Sequence, residues 1–355
     1  MRIVFSGYYG FRNAGDEAVL AGLLRLLAQA DLAHPGDIVV LSADPGWSRA
    51  QHGVEAVDRW NMRAVSSAIA ASDLLISGGG SLLQDTTSLR SLLYYAWIMR
   101  KARALKRPYM LCAQGIGPLR RSISRRIVYN AANRSAAITV RDEASAELLR
   151  DLGIATDRIR VTADPAYALD APQPRPEPRE RPTIGFALRP WHDRDIARAC
   201  RPIAQKLSAA GIGLIGIAMH PPLDAPVCAE TLQGLSDSIV DTAGDPQAAL
   251  QAIHGVEGLI GMRLHAIILS AVCSTAPTAI AYDPKVTATM RALGLEDYRI
   301  DLDALDADVV VSRALTGLAD RESILQRIGD KLTYLRQSAA ENVAMAAAAA
   351  GSGVH

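Results

Sequence analysis

The stretch VEGLIGMRLHAIILSAVCSTAPTAIAYDPK, residues 256–285, decides the fold. It predicts a short buried strand over 256–260, a turn at Gly261, and Arg263 and His265 at the mouth of an apolar helix over about 266–273. A second strand then runs through Ala281 into a Tyr-Asp-Pro-Lys turn. A strand, helix, strand unit is a right-handed crossover between parallel strands, so both strands end on one edge of the sheet. Ligands of open parallel sheets bind outside the carboxyl ends of the strands. Arg263, His265 and Lys285 are therefore expected to be neighbours, and helix-start amides add positive partial charge there. The pattern predicts a site for a small anion beside a proton donor.

Outward from this stretch the same alternation continues. Strands are expected near 3–6, 38–42, 74–77, 109–113, 137–140 and 160–163, with helical patterns between them. The residues after them are glycine-rich or polar: GYYG, GGGS, QGIGP, RDE and DP. Glycines there let backbone approach a ligand. Residues 171–182, APQPRPEPRERP, hold five prolines alternating with charges and read as an extended linker. Beyond it strands are expected at 183–188, 213–218 and near Ile239, with helices from Asp193 and Pro246, and a helical, alanine-rich tail from Asp306. The expected organisation is α/β, two Rossmann-like doubly wound domains facing across a cleft: residues 1–170 on the acceptor side, linker 171–182, and residues 183–355 as the donor domain.

Composition narrows the function. The chain has 355 residues and an apolar fraction of 49%, enough for two cores. With 38 basic and 37 acidic residues its net charge of +1 gives no global field for nucleic acid or an anionic membrane, so any anion site must be local. Cys112, Cys200, Cys228 and Cys273 are scattered without CxxC spacing, as expected of reduced, buried thiols. No His, Cys, Asp and Glu spacing resembles a metal site, and no cofactor is expected. The first residues lack a signal-peptide core, and no apolar run approaches the ~20 residues of a membrane helix. A cytoplasmic protein is the expectation.

Several residues have two readings. Gly78-Gly79-Gly80 resembles a phosphate-cradling turn but is neither GxGxxG nor a Walker A sequence. Close backbone approach to a sugar or its phosphate suits it better. Asn13 and Asp16 either cap the helix they open or hold sugar hydroxyls, and Glu17 sits with them. Arg141 either joins an anion or pairs with Asp142 or Glu143. Arg189 ends a strand and carries a fork suited to carboxylate or phosphate. Residues 88–107, SLRSLLYYAWIMRKARALKR, are either a core helix with a basic end or a peripheral membrane contact.

Taken together, GYYGFRNAGDEAVLAGLL, SGGGSLLQD, AQGIGPL, TVRDEASAELLRDLG, VTADPAYAL, FALRPW, GMRLHAIILSA and AYDPKV resemble the polysaccharide pyruvyl transferase family, most closely its cell-surface-anchoring (CsaB-type) branch. Arg12 departs from it, standing where a small residue, commonly Gly, would be expected. The resemblance implies a GT-B-like fold and transfer of pyruvate from phosphoenolpyruvate to a pair of sugar hydroxyls as a cyclic ketal. In that branch the acceptor is similar to an N-acetylmannosamine of a lipid-linked cell-wall oligosaccharide that serves S-layer anchoring. The resemblance places the family's His on His265 and its Arg and Lys on Arg263 and Lys285. Arg189 and Arg141 are further candidates for phosphoenolpyruvate. Asn13, Asp16, Glu17, Gly79, Gly80, Gln84 and Gln114 are candidates for the acceptor. A GT-B glycosyltransferase using a nucleotide sugar and a non-catalytic sugar or anion binder remain alternatives, and the oligomeric state is unread.

Overall fold

The computed structural model describes residues 1–86, 88–174, 180–236 and 238–351. Two compact units emerge, and neither follows the chain linearly. One comprises Met1–Phe11, Val19–Ala168 and the chain from Leu335 onward; the other comprises Arg12–Ala18 and Leu169–Tyr334. Of the expected linker 171–182, residues 175–179 lie outside the described residues.

The first unit is built on seven parallel strands: β1 (Ile3–Tyr9), β2 (Ile38–Ser42), β3 (Glu55–Asp58), β4 (Leu74–Gly78), β5 (Tyr109–Gln114), β6 (Ala137–Val140) and β7 (Ile159–Val161). Their order is β3-β2-β1-β4-β5-β6-β7. With them come helices α1 (Ala14–Gln29), α2 (Pro45–His52), α3 (Met62–Ala70), α4 (Leu89–Ala104), α5 (Ser122–Asn133) and α6 (Glu143–Asp151). The first turn of α1 groups with the other unit. The inner strands β2, β4 and β5 are buried at every residue, as strands covered on both faces must be. Order reverses between β1 and β4, which makes their carboxyl ends the switch point.

The second unit repeats the plan with β8 (Thr183–Ala187), β9 (Gly213–Ala218), β10 (Ile239–Asp241), β11 (Gly258–Gly261), β12 (Ala276–Ala281) and β13 (Arg299–Asp301). These six strands are parallel in the order β10-β9-β8-β11-β12-β13, with the switch between β8 and β11. Helices α7 (Ile196–Ala209), α8 (Pro221–Leu232), α9 (Pro246–His254), α10 (Leu264–Val272), α11 (Pro284–Ala292) and α12 (Ala307–Ala319) accompany them. Helix α10 is buried along almost its whole length, and Ile267, Ile268 and Leu269 each contribute roughly 1.5–3 kcal/mol of burial.

The last helix, α13 (Arg321–Gly351), explains why the chain from Leu335 onward belongs with the first unit. Asn342, fully buried, accepts from the hydroxyls of Thr139 and Thr162 and donates to the carbonyl of Ala163. A buried amide satisfied on both ends fixes that segment against β6 and the chain after β7. Strands β3 and β13 were not expected from the sequence. Both are short edge strands whose sequences, EAVD and RID, hold no apolar run. Among the described residues no helix is long and apolar enough to cross a membrane.

All four cysteines are buried and free, and burial pushes the thiols of Cys112, Cys200 and Cys228 up to about 12. His254 is buried, with its Nδ1 3.1 Å from the carbonyl of Cys273. The last turn of α9 carries it onto the apolar side of that helix.

Candidate active site

In the second unit β11 delivers Arg263 and His265 to the carboxyl edge. The amide of Met262 donates to the carbonyl of Ala187 at 3.0 Å, so the chain leaving β11 stays bonded to the end of β8. Arg263 is the N-cap residue of α10, and His265 lies in its first turn. The sequence therefore places an imidazole at the positive end of an apolar helix.

Arg263 does not present a bare charge. Its Nε donates to Oδ2 of Asp224 at 2.9 Å and its Nη2 to Oδ1, a bidentate pair. Asp224 is completely buried in α8, and its Oδ2 also accepts the amide of His220 at 2.8 Å. The anion demanded by this buried cation comes from the protein itself, which makes Arg263 a residue that fixes the start of α10. Nothing in the spacing of Asp224 and Arg263 announces the pair, because the partner lies on a different crossover.

Arg189 and Lys285 differ. Arg189 Nη1 donates to the hydroxyl of Tyr282 at 3.0 Å and its Nε to the carbonyl of Pro190 at 3.3 Å. Its guanidinium lies 5.1 Å from the Tyr282 ring centroid and 5.3 Å from that of Trp191. Among the described residues no carboxylate meets it. Lys285 Nζ sits 5.8 Å from the centroid of the same tyrosine and 3.4 Å from Oδ2 of Asp283, the cap of α11. Tyr282 thus gathers two cations from separate strand ends, a role the sequence did not reveal.

Residues Arg12–Ala18 belong to this unit and bring the expected acceptor residues to it. The amide of Ala14 donates to the carbonyl of Met219, just past β9, at 2.8 Å. Asn13 Nδ2 donates to Oδ2 of Asp16 at 2.6 Å, and its Oδ1 accepts the amide of Gly15 at 3.2 Å. Gly15 lies against the imidazole: a Cβ there would stand 2.8 Å from Cγ of His265. The loop that carries Asn13 and Asp16 therefore packs against His265 through Gly15. Arg12 adopts φ 57°, the left-handed region that glycine occupies without cost, which accounts for the small residue expected at that position.

Gly15→Ala is expected to push the imidazole aside and lower kcat on the order of 10²-fold, as displacements of about 1 Å at reacting groups do. In a His265→Ala background the same change is expected to cost almost nothing further. Steady-state rates of the four proteins of this cycle check both statements.

Glu17 does not join the site as expected, since it is completely buried and offers no surface to a sugar. Four further acceptor candidates, with Arg141, lie in the first unit. Gly79 and Gly80 have φ of 77° and 67°, so the turn after β4 needs glycine at both. Gln84 accepts the amide of Thr86 at 2.8 Å. Gln114 is fully buried, and its Nε2 donates to the carbonyl and hydroxyl of Ser77, tying β5 to β4. Arg141, expected as a fourth cation, is neutralised: Nη1 lies 3.4 Å from Asp164, Nε 3.7 Å from Asp142, and Nη2 donates to Ser81 at 3.0 Å.

The profile of the polysaccharide pyruvyl transferase family matches residues 13–284. The chain belongs to this family. The matched span reaches from Asn13 through His265 and ends one residue before Lys285. Its fold is GT-B-like. It is similar to Anabaena Alr3699/HepE crystallised with UDP-glucose, at 12% identity and TM-score 0.63, covering 97% of this chain and 99% of that one. A glycosyltransferase from Rickettsia africae aligns at 12% identity and TM-score 0.62 over 99% of both chains. The UDP-GlcNAc 2-epimerase from Neisseria meningitidis, solved with UDP-GlcNAc, aligns at 11% identity and TM-score 0.58 over 97% of this chain and 99% of that one.

Proposed function

We propose that this pyruvyl transferase takes phosphoenolpyruvate as donor and places its pyruvyl group on two hydroxyls of a saccharide as a cyclic ketal. The observation that carries the reading is the cluster of His265 with Asn13 and Asp16, on the same carboxyl edge as the cations around Tyr282. Phosphoenolpyruvate bears a phosphate and a carboxylate on three carbons, so it needs cations not consumed by the fold. Arg189 is that cation, since no carboxylate meets it among the described residues; Lys285 lies over the same tyrosine ring with one contact to Asp283, and Arg263 and Arg141 are paired within the fold.

His265 donates a proton to the methylene carbon, which becomes the methyl group, and positive charge develops at the adjacent carbon. One sugar hydroxyl attacks that carbon, and Asp16, oriented by Asn13, takes its proton. The carbon–oxygen bond to phosphate breaks, and the second hydroxyl closes the ketal. Two hydroxyl protons are lost in all: one balances the proton now on the methyl group, the other leaves on phosphate. The acceptor expected from the sequence, an N-acetylmannosamine of a lipid-linked cell-wall precursor, fits a site of this kind, and cytoplasmic action is part of the same proposal.

A nucleotide-sugar glycosyltransferase is the second reading, favoured by GT-B-like neighbours solved with UDP-sugars. Phosphate release from phosphoenolpyruvate across a panel of saccharide acceptors, run beside thermal-shift assays with UDP-sugars, separates the two. Acceptor-dependent release supports pyruvyl transfer; none with any acceptor, with a UDP-sugar raising Tm, overturns it. Arg189→Ala is expected to lower kcat/KM for phosphoenolpyruvate roughly 10- to 100-fold, the worth of a charge-assisted hydrogen bond, mostly through KM.

A further inference from the structure

Between Asp85 and Asp142 the chain runs 56 residues with twelve Lys and Arg and no Asp or Glu. For a protein of net charge +1 this is a strong local asymmetry. The segment contains α4 and α5, which pack side by side and enclose a groove of about 620 Å³ on the first unit. Helical spacing places Leu93, Trp97 and Arg100 on one wall, and Ile127 and Arg126 on the other, followed by Arg134. Arg103 continues the first wall. Each wall therefore mixes apolar side chains with arginine along one face, while Leu92, Tyr95 and Ile98 are buried in the core.

Two large aliphatic residues at this face are left to solvent: Leu93 is 48% exposed, and Ile123, one turn before Ile127, is 52% exposed. Among the described residues Arg100, Arg103, Arg126 and Arg134 have no carboxylate partner. Exposed aliphatic side chains flanked by unopposed arginines are what an amphipathic surface presents to the headgroup and acyl boundary. Nucleic acid would use the charge but leave Leu93 and Ile123 in water.

We propose that the α4–α5 groove docks the protein onto an anionic lipid bilayer. The proposal goes beyond the pyruvyl chemistry and does not depend on it, since it is read without substrates. The full chain is sedimented with vesicles of phosphatidylcholine alone and of equal parts phosphatidylcholine and phosphatidylglycerol. Binding to the anionic vesicles only, released by added salt, is expected. Each removed cation should weaken it roughly fivefold, so Arg100→Glu with Arg126→Glu and Arg134→Glu should lose on the order of a hundredfold or more. Leu93→Ser with Ile123→Ser should weaken it as well. Neither set should change phosphate release with a water-soluble acceptor, and an Arg→Gln version of the triple variant keeps the test available if charge reversal disturbs folding. Equal binding to both vesicles, binding to neither, or wild-type binding by the triple variant overturns the proposal. So does duplex DNA binding through the same arginines as tight as the vesicle binding.

Discussion

His265→Ala is expected to lower kcat for phosphate release on the order of 10²- to 10⁴-fold, the range a positioned general acid supplies. The imidazole lies at the start of α10 and is packed by Gly15. The cations assigned to the donor come from other strand ends, so KM for phosphoenolpyruvate should move only a few-fold. His265→Gln keeps polarity and approximate size without an ionisable proton and should not rescue. In heavy water the wild type should place deuterium in the methyl group of the ketal, because the proton delivered to the methylene carbon exchanges with solvent on the imidazole. A variant retaining more than a tenth of wild-type kcat would remove His265 from the chemistry and leave it a packing residue. Tm unchanged in the alanine variant separates loss of chemistry from loss of fold.

Much of this was legible in the sequence because parallel sheets write themselves as short apolar runs followed by glycine or charge. The runs giving β1, β4, β5, β8, β9, β11 and β12 are of that kind, and His265 follows one of them. What was not legible depended on contacts between crossovers. Arg263 reads as a ligand-binding cation until Asp224, 39 residues earlier, is seen beneath it. Glu17 and Gln114 carry polar side chains that sequence alone assigns to a surface, yet both are fully buried. The sequence assigns residues 13–17 to the domain of β1, whereas they group with the unit that holds His265, where the amide of Ala14 donates to the carbonyl of Met219. Tyr282 gave no signal, since an aromatic after a buried strand has many uses.

Asp224→Ala is expected to destabilise the protein by about 3–5 kcal/mol, the cost of stranding one member of a buried ion pair. The carboxylate makes three bonds: two to the guanidinium of Arg263 and one to the amide of His220, which opens α8. Removing it leaves a cation only 9% exposed without its anion and a helix-start amide without its acceptor. Replacing both partners, Asp224→Leu with Arg263→Met, removes the stranded charge and should restore most of the stability, because apolar replacements of a buried pair are often neutral. Activity should not return with it. Arg263 is two residues before His265 and its bidentate grip on α8 is directional, whereas a leucine–methionine contact permits rotation at the start of α10. Urea midpoints and phosphate-release rates on the single and double variants check this. Recovery of both stability and rate would show the pair to be only a packing device, whereas recovery of stability alone assigns it the positioning of the imidazole.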